Sequence, residues 1–143
     1  MMNAEEHNAF AVQVLKADTI LNVILGVAFV AIPGPIESVL GDGPLIPFIV
    51  WRVIGVIFVL YAAWEAYVTR RPPLGVASLA FASIMALVPV VLLTAALLFL
   101  PVPLNTVGRV ILWFGDGLML VLGSYYALVI WRMRREGFAG AAS

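Results

Sequence analysis

Of 143 residues, 64% are apolar and only 11% are charged, and the mean hydropathy is +1.10, so the chain has too little polar surface to cover a water-soluble domain of its size. Eight basic and eight acidic residues cancel, leaving no basic surface for nucleic acid, and the lack of Cys excludes disulfides, thiolate metal sites and thiol chemistry. The class that remains is a single all-α membrane domain over residues 1–143, with the lipid bilayer as its solvent.

Taken in order, Met1 to Asn8 reads as a short polar leader. Glu5 and Glu6 oppose the positive start of a secretory signal and no A-x-A cleavage pattern follows, so the first helix is expected to be retained. That helix is predicted over 9–32, with Lys16, Asp18 and Asn22 polar in its first half. Pro33 to Ile46 has no Lys or Arg and is rich in turn-forming residues. Pro35 there can start one short amphipathic turn on the membrane surface, with Glu37 facing water.

The second crossing is predicted over 47–69, and the run Val53 to Trp64 inside it carries no charge. Thr69-Arg70-Arg71-Pro72-Pro73 then forms a short basic hinge. The third crossing, 74–100, is uncharged throughout and should kink at Pro89. Pro101-Val102-Pro103 ends it, and the fourth, 106–132, carries Arg109 and Asp116 and closes on Arg132, Arg134 and Arg135. The tail from Gly137 to Ser143 is small and Gly/Ala-rich, and is expected to be disordered.

With four alternating crossings, Lys16, Arg70, Arg71, Arg132, Arg134 and Arg135 fall on one side, which puts both termini in the cytoplasm and the protein in the inner membrane. Tyr61, Trp64, Tyr67, Tyr125, Tyr126 and Trp131 lie near that same interface and read as an aromatic belt, with a ligand cage as the alternative. Arg52-Val53-Ile54 recurs as Arg109-Val110-Ile111, and the Pro-rich ends of the odd helices also match, the pattern of two parallel-repeat hairpins. For helix association there are small residues at four-residue spacing: Ala62 and Ala66, Ala82 and Ala86, Gly123 and Ala127. Gly115 and Gly117 flank Asp116 and would let a neighbour approach.

Charges inside the apolar layer are the candidate functional residues, since each costs at least ~2.5 kcal/mol to insert. Arg52 and Arg109 with Asp116 are predicted to converge on the bundle interior in the outer half of the layer, Arg109 and Asp116 being two turns apart on one face. Such a cluster is either a structural clamp or a site where two guanidinium forks take an anion or lipid headgroup. A second polar group, Lys16, Asp18, Glu65 and Arg70, lies near the basic end, where Glu65 is expected to pair with Lys16 or Arg70, or to reach Asp18.

Richer chemistries find no residues. The one His lies in the leader, no spacing suggests a bound metal or a cofactor such as haem, and no nucleophile sits beside a base, so no enzyme activity is expected. The size, the four crossings and the Arg52-Val53-Ile54-Gly55 start of the second helix, followed by Leu60 and small residues, resemble the small bacterial four-helix membrane proteins called DoxX-like. The fourth helix departs from that pattern with Leu112 where Gly would match. The resemblance implies an accessory membrane subunit, as in some quinone-linked oxidoreductases. The expected function is therefore that of a non-catalytic accessory or structural subunit, within a homo-oligomer or larger membrane complex. The alternative is a small transporter or binding protein for an anion or lipid headgroup.

Overall fold

The computed structural model describes residues 3–137, and among these every regular element is a helix: α1 (Ala4–Ala31), α2 (Pro33–Leu40), α3 (Phe48–Val68), α4 (Val76–Phe99) and α5 (Thr106–Glu136). All but α2 are long and apolar enough to cross a bilayer, and the 21 residues of α3 give about the 30 Å that hydrocarbon requires. The chain is thus a four-helix membrane bundle. The disorder expected of the tail falls on residues 138–143, outside the described part; Gly137 closes α5 in the left-handed conformation, φ 61°.

α1 starts five residues before the sequence reading placed it. Asn3 and Glu6 make a capping box: the Asn3 side chain accepts from the Glu6 backbone N–H at 2.9 Å, and the Glu6 carboxylate accepts from the Asn3 N–H at 2.9 Å. The leader is therefore mostly helix. Its Asn8 is buried, donating to the Leu74 carbonyl at 2.8 Å and accepting from the Leu74 N–H at 2.9 Å, which ties the start of α1 to the hinge before α4.

α1 packs most extensively on α3, and α4 on α5, so the molecule is two antiparallel hairpins joined through α1 and α5. Gly26 and Gly55 face each other where α1 crosses α3: a Cβ on Gly55 would lie 2.6 Å from the Gly26 carbonyl, and one on Gly26 2.8 Å from that of Gly55. This mutual close approach was not anticipated from the sequence. In the second hairpin the Ser83 hydroxyl donates to the Gly123 carbonyl at 2.9 Å, and Ala86 and Leu87 crowd the same glycine. Ala62 and Ala82 are buried as expected, but nothing lies within 4 Å of a Cβ on Gly115 or Gly117, so among the described residues no helix approaches there.

The hairpins are closed at both ends. At the basic end the core gathers Ala11, Leu15, Leu74, Leu79, Tyr126, Val129 and Met133. Tyr126 is therefore a core residue rather than part of a belt, whereas the exposed Tyr67 and Trp131 lie under the guanidinium groups of Arg71 and Arg135, 4.7 and 4.6 Å from the ring centres. At the opposite end Gly41 and Leu104 form an antiparallel bridge, Asn105 N donates to the Leu40 carbonyl at 3.1 Å, and Gly108 sits against that same carbonyl. Between these ends α3 meets α4 through rings, Trp64 on Phe81 at 4.6 Å between centroids.

Gly55→Leu should lower stability by about 1–3 kcal/mol through overpacking, and Gly115→Leu should change it by less than about 0.5 kcal/mol. Thermal unfolding in detergent compares the two; equal losses would contradict the packing described.

Candidate functional site

Besides Asn8, Thr69 and Ser83, the buried polar side chains form three groups; Glu37 borders an open groove at the loop end, and the third group walls a cavity shared by all four spans. The first is at the loop end. Glu37, expected to face water, turns inward: its Oε1 accepts from the Leu45 N–H at 2.7 Å, the Ile46 N–H at 3.1 Å and the Trp51 indole N–H at 3.3 Å. The segment after α2 folds back over that helix and brings backbone donors that no helix satisfies, so the carboxylate serves as their cap. Those donors, Ile46 first and then Leu45, hold the Glu37 carboxyl below its ordinary value of 4.5.

The second is Asp116. Its environment corrects the cluster expected of Arg52, Arg109 and Asp116. Asp116 is buried on α5 and accepts from the Thr94 hydroxyl at 2.6 Å, while Arg52 and Arg109 are exposed, each in the first turns of its helix. Among the described residues neither guanidinium is joined to Asp116. The buried face of α3 runs through Trp51, Gly55, Ala62 and Glu65, and Arg52 lies about 100° off it. Arg109 is two turns from Asp116, about 10 Å along the axis, and reaches the interface more readily than the carboxylate.

The third group lies between α1 and α3, about one turn inside the basic end. Glu65 is fully buried, and Asn22 donates to its Oε2 at 3.1 Å. The Asp18 carboxyl, one turn before Asn22 on the same face of α1, lies within hydrogen-bonding reach of Glu65. Glu65 Oε1 makes no hydrogen bond among the described residues, although the Thr19 and Tyr61 side chains lie beside the same carboxyl, and the Tyr126 hydroxyl nearby on α5 makes none either. Lys16 and Arg70, the expected partners of Glu65, are exposed and unconnected to it. Lys16 is two residues from Asp18, so a helix turns it away; Arg70 follows the end of α3. Asp18 and Glu65 therefore meet without a cation.

Asp18 and Asn22 form the polar wall of a cavity of about 380 Å³ to which all four spanning helices contribute. The rest of its lining is apolar or aromatic: Ile54, Ile57, Phe58 and Tyr61 from α3, Met85, Ala86, Pro89 and Leu92 from α4, Met119 and Leu122 from α5. Pro89 deprives the Met85 carbonyl of its helical donor, and both residues line this space. The volume suits a small organic molecule, in a concave apolar setting with few polar groups. No group of three or more His, Cys, Asp or Glu capable of holding a metal occurs among the described residues.

The fold and this site define a four-helix integral membrane protein with an acidic-walled central cavity. No protein-family model, no curated protein and no solved structure matches the chain.

A carboxyl whose folded pKa is depressed contributes stability that is fully present above its unfolded value and is lost as pH falls through the depressed one. For Glu37 that loss begins below the ordinary value of 4.5, so wild type should lose thermal stability on acidification through this range while Glu37→Gln starts lower and changes less. Unfolding temperatures in detergent across an acid pH series measure this; parallel curves would contradict the capping role.

Proposed function

We propose that this chain is a non-catalytic integral membrane protein that acts as a ligand-holding accessory subunit of a membrane complex, keeping a small apolar molecule in its central cavity. The observation that carries this reading is the 380 Å³ cavity at the meeting of all four spans, with one polar wall in an otherwise apolar lining. A helix bundle that served only as packing would fill that space, since interiors close to crystal-like density. The hydrogen bonds between Asn8 and Leu74 at one end, and from Asn105 to the Leu40 and Val39 carbonyls at the other, fasten the two hairpins to each other on either side of the cavity.

The accessory role is supported by the resemblance to DoxX-like proteins and by the concentration of the described residues in the four spans. The anion reading loses its support with the exposure of Arg52 and Arg109. Orientation follows from the basic residues gathered at one end, which we assign to the cytoplasm, with the membrane being the inner one.

Gentle extraction followed by native mass spectrometry tests the reading. The wild-type protein should carry a small molecule at fixed ratio, together with a larger partner, and Ala86→Trp should lose the small molecule while keeping the partner. An empty cavity in the wild type, with Ala86→Trp indistinguishable from it, would overturn the proposal.

A further inference from the structure

The Asp18 and Glu65 carboxyls meet in a place that supplies no positive charge. From α1 the facing groups are Asp18 and Asn22, from α3 Glu65 and Tyr61, from α5 Tyr126, and α4 contains no ionisable residue at all. Lys16 is on the outside of α1 and Arg70 lies beyond the end of α3. A fully buried carboxylate in contact with a half-buried one needs a positive charge beside it, either a proton or a cation, because an uncompensated buried charge is strongly destabilising. Glu65 is 0% exposed and its Oε1 makes no hydrogen bond among the described residues. The groups around it are the Asp18 carboxyl and the neutral Asn22, Thr19 and Tyr61 side chains. No positive group of the described residues therefore compensates the pair, and Asp18 carries it to the cavity wall.

The adjoining space selects which cation. A bare metal ion would keep its water, which apolar walls cannot replace. An organic cation brings apolar surface of its own, and its charge is also attracted by aromatic faces such as Phe58 and Tyr61. We propose that the Asp18–Glu65 carboxyl pair and the cavity beside it form a site for a small hydrophobic organic cation, a quaternary ammonium or protonated alkylamine, which takes the place of the proton between the carboxyls. This deepens the ligand-holding reading and rests on it. The exchange balances: one monovalent cation enters, one proton leaves to water, and the site keeps its net charge. Cation binding is then linked to pH, with apparent affinity strengthening by up to about tenfold for each pH unit over which the proton is displaced.

The test uses an isosteric pair, benzyltrimethylammonium and the uncharged neopentylbenzene, titrated into the full chain in lipid nanodiscs over a pH series. The cation should bind with one proton released and with affinity rising with pH, while neopentylbenzene binds with no pH dependence. Asp18→Asn keeps the shape of the site, and should lose at least tenfold in affinity for the cation and its pH dependence, with neopentylbenzene unchanged. Asp116→Asn, at a carboxyl that does not line the cavity, should leave both ligands unaffected. Binding of neopentylbenzene alone would overturn the cation site and leave the ligand-holding reading standing. Binding of neither would overturn both. Equal stabilisation by sodium chloride without the organic cation would also overturn it, since the cavity would then play no part.

Discussion

Two carboxyl side chains from neighbouring helices come together inside this bundle, and no basic residue accompanies them. Every approach that brings Asp18 and Glu65 into contact is built into the first hairpin. Gly26 and Gly55 let the α1 and α3 backbones close to a distance that any side chain would forbid. That crossing fixes the rotation of both helices, so that Asp18 and Asn22, one turn apart, face Glu65 rather than lipid. Asn22 donates to one oxygen of Glu65, and the other makes no hydrogen bond among the described residues.

The rest of the molecule shows what a fully satisfied polar group looks like in the same chain. Asn8 uses both its amide oxygen and its nitrogen on Leu74, and Glu37 collects three donors on one oxygen. Asn8 ties α1 to the segment before α4, and Glu37 pins the segment after α2 to the start of α3. Atoms short of partners occur at His7 Nδ1 near the basic end, at Asp116 Oδ1, and at Glu65 and Tyr126 beside Asp18, which lines the cavity. Asn8 and Glu37 are therefore accounted for by architecture, whereas the Asp18–Glu65 pair, whose Asp18 borders the cavity, is not, which is why the functional reading is placed there.

The four crossings were legible because length and hydropathy determine a membrane helix almost without tertiary context. Azimuth was not legible to the same degree. Depth along the helix suggested that Arg52, Arg109 and Asp116 share a level, but Trp51 and Gly55 take the buried face of α3 and leave Arg52 outside. Glu37 was read as water-facing because its partners are backbone N–H groups eight and nine residues later, and a loop's path is not encoded in periodicity. Glu65 was recognised as a polar position, but its pairing with Lys16 or Arg70 was preferred to Asp18. The signal that favours Asp18 was present: Asp18 and Asn22 are four apart and so share a face, whereas Lys16 is turned away. The glycine crossing left no such mark, since Gly26 and Gly55 are single residues on different helices.

The central claim is that Asp18 and Glu65 are neighbours and Arg52 and Asp116 are not. Because the native chain has no Cys, thiol cross-linking in intact membranes reads this directly. A short bifunctional thiol reagent should join Asp18→Cys to Glu65→Cys within one chain and fail with Arg52→Cys and Asp116→Cys. Cross-linking of the second pair and not the first would contradict the account.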